Sequence, residues 1–156
     1  MNIAKLGFAG VLAVLASVNS QAGELTVSDA WTRATAPGQD SAMVQLVITS
    51  KRDAKLIGAS SKAAQSAELH SMVHEQGVMK MRQVDVVELP AGKALDLGEA
   101  GYHLMLLGLK KPLKSGEKFA LTLNVRHANG KEQAAKVTVV VKPLTESVEH
   151  EHSHHP

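Results

Sequence analysis

Apolar residues in this chain alternate with polar ones, or run in short β-branched blocks, far more often than they recur at helical spacing. Met43 to Thr49 is dense in valine, leucine and isoleucine and predicts a buried strand. Phe119 to Val125 alternates, which puts Leu121, Leu123 and Val125 on one face of a strand. Lys136 to Val141 predicts its partner, ended by Pro143. Between the two, Asn129-Gly130 predicts a tight hairpin turn with positive φ at both positions. Further strands are expected at Leu25 to Val27, Lys55 to Ala59, Val78 to Glu88, Ala94 to Leu97 and Tyr102 to Leu107. Turns are expected at Ala36 to Asp40, Gly77, Pro90 to Gly92 and Gly98 to Gly101. Ser60 to Ala67 has no clear period and fits a loop or a single helical turn. No amphipathic helix of three turns stands out beyond the first 22 residues. Seven to nine short strands separated by turn signals predict an antiparallel sandwich or small barrel.

The two ends break from this pattern. Met1 to Ala22 has a cationic start at Lys5, an apolar or small stretch from Leu6 to Val18, and a small residue closing Ser20-Gln21-Ala22. It is expected to be a signal peptide. Its thirteen-residue apolar stretch is short of the ~20 that a spanning helix needs. Cleavage near Gly23 would leave an exported, periplasmic chain without a membrane span. At the far end, polar Thr145 to Glu149 leads into His150-Glu151-His152-Ser153-His154-His155-Pro156. The expected division is a signal peptide over 1–22, one β domain over 23–144, and a flexible His-rich tail over 145–156.

Composition narrows the chemistry. The 156 residues include no cysteine, so no disulfide framework supports the fold. A blue-copper centre, which needs a Cys ligand, is excluded with it. The formal charge of +2, with no basic run laced with aromatics, gives no support to nucleic acid as a partner. What remains unusual is the gathering of His and Met between residues 70 and 105. Imidazole plus thioether is a soft, neutral donor set, and softness selects copper, Cu(I) above all, over zinc, calcium or magnesium.

Strand geometry orders these donors. His103 and Met105 project together, while Leu104 and Leu106 go to the opposite face. Met79 and Met81 likewise share a face opposite Val78. A loop carrying His70 and these two strands could converge on one ion. Met43 is expected to serve packing alone, and Met79 to be packing or rim rather than ligand. His74 and His127 are expected to be solvated surface residues. Met72, two residues past His70, stays open between ligation and packing.

His70, ten residues, Met81, twenty-one residues, His103, one residue, Met105 resembles the His-x10-Met-x21-His-x-Met signature of the periplasmic copper chaperones called PCuAC. Ser28 to Arg33 with Pro37-Gly38, Gly77 to Arg82, Leu89 to Gly92, and His103 to Lys110 are similar to stretches of that family. The resemblance spans Leu25 to Leu144. Before His103, Gly98-Glu99-Ala100-Gly101 stands where the family often has Pro-Gly-Gly, a difference of turn shape rather than of ligation.

The resemblance implies a cupredoxin-like antiparallel β-sandwich of Greek-key type, and Cu(I) held by His70, Met81, His103 and Met105. It also implies delivery of that copper to cytochrome c oxidase, either to a subunit or through another assembly chaperone. No nucleophile, general base or second carboxylate is grouped with the donors, so an enzyme is not expected. In the tail, His150, His152, His154 and His155 with nearby Glu form a borderline-hard chelator suited to Cu(II), zinc or nickel, with Cu(II) the metal expected here. A monomer is expected, with a metal-bridged dimer through the tail as the variant. The alternative function is a periplasmic copper buffer with no dedicated oxidase recipient.

Overall fold

Ten strands and no helix are found among the described residues, 23–98 and 101–145 of the computed structural model. In chain order they are β1 (Leu25–Arg33), β2 (Ser41–Ser50), β3 (Ala54–Ser61), β4 (Ala64–Glu75), β5 (Val78–Gln83), β6 (Val87–Leu89), β7 (Ala94–Leu97), β8 (Tyr102–Leu109), β9 (Lys118–His127) and β10 (Glu132–Lys142). Hydrogen bonding links them in the order β5, β4, β8, β2, β1, β10, β9, β3, β6, and a further pairing of β3 with β4 at Ala59 and Ala67 closes a ring. Seven strands form that ring. β5 and β6 hang from it as edges, and β7 pairs with the end of β2. The expected all-β, cupredoxin-like fold is thus present in closed form.

Alternation drives the burial. In β2, Ala42, Val44, Leu46, Ile48 and Ser50 are buried while the residues between them are half-buried. Leu104 and Leu106 of β8 and Leu121, Leu123 and Val125 of β9 have no exposed area and meet in one core. Each such leucine contributes roughly 1.5–3 kcal/mol through loss of contact with water. Cross-strand order follows from this. A one-residue slip would turn every one of these side chains to solvent.

The structure departs from the sequence expectations at several places. β1 and β10 run parallel, pairing Trp31 with Val140 and Arg33 with Lys142, so the ring is not wholly antiparallel. The β9–β10 connection is longer than two residues: His127 and Lys131 still bond, and only Gly130 has positive φ. This is the three-residue loop with a left-handed glycine rather than the two-residue turn. Residues 64–75, expected as loop around His70, form the longest strand of all. Its small and polar residues alternate against a ring interior that needs only Ala64 and Leu69 from it. Met43 is half-buried on the outer face of β2 and not in the core. His127 is the reverse case. It is 9% exposed, with Nε2 2.9 Å from Gln133 Oε1, and is no surface residue.

No helix of the described residues is long and apolar enough to cross a membrane. The expected signal peptide and the tail histidines His150, His152, His154 and His155 lie outside the described residues.

Candidate metal centre

β4 is the strand on which the site is built. It pairs with β8 in unbroken register from Ser66 opposite Leu107 to Ser71 opposite Tyr102, which sets His70 directly across from His103. Directly opposed side chains share a face, with Cβ atoms about 4.5–5.5 Å apart. Leu69 and Leu104, the pair beside them, point into the core and fix the two imidazoles outward. Met105 follows on the same outward face, opposite Glu68 on one side and Met43 of β2 on the other.

On its other edge β4 pairs with β5, and here Met72 opposes Met81, with Gln83 opposite His70. Met81 is therefore a diagonal neighbour of His70, a relation that puts side chains about 7–8 Å apart and within reach of a flexible thioether. Register thus brings His70, Met81, His103 and Met105 onto one face of three adjacent strands. It also brings Met72 into their midst.

Two features of this face point to a metal. His103 Nδ1 is buried and has no hydrogen-bond partner. An orphaned buried polar nitrogen costs about 1–3 kcal/mol, a penalty that ligation would remove. His70 Nε2, by contrast, lies 3.0 Å from Glu68 Oε2, the two side chains being 17% and 25% exposed. A carboxylate on one ring nitrogen fixes the tautomer and leaves Nδ1 as the donor atom, the arrangement common to metal-bound histidines. Glu68 is a single carboxylate beside the candidate donors. Beside two neutral imidazoles and two neutral thioethers, its charge would balance a monovalent cation.

Sequence reasoning missed Glu68 and left Met72 open because both depend on β4 being a strand. Once it is, Glu68, His70, Met72 and His74 share a face by spacing alone. No three His, Cys, Asp or Glu side chains come together as a metal cage among the described residues. The candidate donors number four only when the sulfurs of Met81 and Met105 are counted with the two imidazoles. Met81 is 46% exposed, and a cavity of about 350 Å³ lies away from this face, between β1 and β10. A thioether this exposed suits ligand exchange better than enclosure of an organic substrate.

Residues 25–142 match the family described as "Putative lipoprotein LpqE-like". A putative lipoprotein of Leifsonia xyli subsp. xyli, Lxx21020, is 37% identical over 126 residues, which cover 80% of this chain and 74% of the relative. Among solved structures, Cu(I)-bound DR1885 from Deinococcus radiodurans matches with a TM-score of 0.59 at 31% identity, covering 81% of this chain and 85% of that one. The copper-bound PCuAC domain of PmoF2 matches with a TM-score of 0.59 at 20% identity over 78% of this chain and 94% of that domain, a likeness of fold.

Proposed function

The chain belongs to the LpqE-like family, and from that premise we propose that it is an exported carrier that binds Cu(I) through His70, Met81, His103 and Met105 and delivers it to the copper centres of cytochrome c oxidase. The observation that carries this reading is the in-register pairing of His70 with His103, flanked on the same face by Met105 and the Met72–Met81 pair. Support comes from the Cu(I)-bound form of the DR1885 relative and from the relatives named as lipoproteins, which are exported proteins. The donors suit transport. Thioethers bind without losing a proton, so only the two imidazoles compete with acid. A Cu(I) ion here is cargo, and the exposed Met81 lets incoming ligands displace the site's own one at a time. His150, His152, His154 and His155 form a second, Cu(II)-binding site in this proposal.

Anaerobic Cu(I) titration against a chromophoric competitor tests the reading. One tight Cu(I) per chain is expected after deletion of Thr145 to Pro156, weakened by Met81→Leu, while the deletion lowers Cu(II) uptake. Cu(I) uptake indifferent to Met81 would return these residues to packing, and unchanged Cu(II) stoichiometry would sink the tail site. Delivery has its own test. A strain lacking this protein is expected to show low oxidase activity that added copper restores; normal activity at limiting copper would leave a buffer in place of a carrier.

A further inference from the structure

The outward face of β4 does not end at Met72. One rung further, His74 opposes Met79 across the β4–β5 pair, and His74 Nδ1 lies 3.2 Å from Met79 Sδ. Both residues are exposed, Met79 by 55%. The hairpin that carries them is closed by Gln76 and Gly77, both with positive φ, the pattern of the tight primed turn that locks strand register. Among the described residues nothing pairs with the outer edge of β5, and all six of its residues are exposed.

From this geometry we infer a second soft-metal site at the hairpin tip, made by His74 Nδ1 and Met79 Sδ, which takes Cu(I) from the His70 site by way of Met72 and Met81. The inference rests on the carrier reading above. One imidazole nitrogen and one thioether sulfur 3.2 Å apart fall within the span of two bonds of about 2.0–2.3 Å to a shared ion. Nitrogen and sulfur without a carboxylate form the donor class that favours Cu(I). The charged groups of the hairpin stand apart from this pair: Lys80 and Arg82 engage Glu75, at 3.2 and 2.6 Å, on the alternate positions of the same strands. Exposure has a purpose under this reading. A sulfur-bearing side chain at the tip of a two-stranded arm contributes little packing, yet it is the donor that a recipient's ligands meet first.

The spacing makes a path. His70, Met72 and His74 are successive same-face positions on β4, each about 7 Å from the next. Met81 and Met79 run beside the last two on β5. An ion leaving His70 and His103 therefore meets Met72 with Met81, then His74 with Met79, and reaches the tip without crossing the sheet. Two donors rather than four make the outer site the weaker one. That is the order required for release at the tip.

The test is methyl NMR on the full-length mature chain with ¹³C-methyl methionine, titrated anaerobically with Cu(I) to saturation. The Met105 and Met81 methyls are expected to shift first and the Met79 methyl later. His74→Ala should weaken that later step at least tenfold and leave the first unchanged. His74 is exposed on the arm, so this variant keeps the core. A Met79 methyl that stays still to saturation, or that shifts equally in His74→Ala, would overturn the inference. A Met79 shift that responds to His74→Ala with Met105 unmoved would support the tip site and sink the four-ligand reading instead.

Discussion

Replacing His103 with leucine is expected to abolish tight Cu(I) binding while leaving the apo protein at least as stable as before. The two halves of this expectation have one cause. His103 Nδ1 is buried without a partner, so the free protein carries an unsatisfied group whose removal in favour of an apolar side chain is neutral or stabilising. The imidazole is also the direct cross-strand neighbour of His70, and losing a ligand should cost more than the roughly 10- to 100-fold that loss of an outer-shell partner costs in metal affinity. Competitor titration and thermal unfolding of the apo variant check the two halves separately. A leucine variant that keeps its Cu(I) affinity would remove His103 from the site. One that melts well below the parent would make the imidazole a structural element.

Leu104→Ala should do the opposite. This side chain has no exposed area and sits between the two outward donors of β8, in the core cluster with Leu69, Leu106 and Leu123. Truncating a buried leucine costs about 2–5 kcal/mol, depending on how far the cavity collapses. For a domain of this size that is a fall of roughly 8–20 °C in melting temperature. Copper should still bind at low temperature, since the outward face keeps all its donors, and saturating Cu(I) should recover part of the loss by mass action. Differential scanning calorimetry with and without Cu(I) measures both. A melting temperature within a degree or two of the parent would contradict the packing described for β8.

The fold was most legible where burial is one-sided. The alternation through Leu121, Leu123 and Val125 and the dense run from Met43 to Thr49 belong to strands that face a core, and period alone reveals them. β4 was hidden for the converse reason. Its inward demands are met largely by small residues and one leucine, and its outward face carries His and Met beside polar side chains, so no contrast of hydropathy marks the strand. For Met43, expected to serve packing alone, only the pairing with Met105 shows that it lies on the outward face. His127 was misread because nothing local announces the Gln133 amide waiting on the neighbouring strand. The parallel joining of β1 to β10 brings together residues over a hundred positions apart, beyond any local pattern. Of the proposed site, the four candidate donors were picked out by their spacing and family resemblance. Glu68, the tip pair and the shared face required the register.

That parallel joining also decides where the last segment of the chain is tethered. Lys142 pairs with Arg33, whose neighbour Thr32 pairs with Val44 beside Met43, and Met43 in turn pairs with Met105. The end of β10 therefore lies on nearly the same row as Met105, three strand spacings away, or about 14 Å around the wall. The eleven residues from 146 to 156 could span up to about 40 Å when extended. Copper held by His150 to His155 would thus lie within intramolecular reach of Met105, at an effective concentration in the millimolar range, and as Cu(II) it would first need one electron from an external reductant before the soft donors could take it. The hairpin tip lies further along the sheet, in the direction from which β10 arrives. On the proposed reading, loading from the tail and unloading at the tip would use different flanks of one sheet.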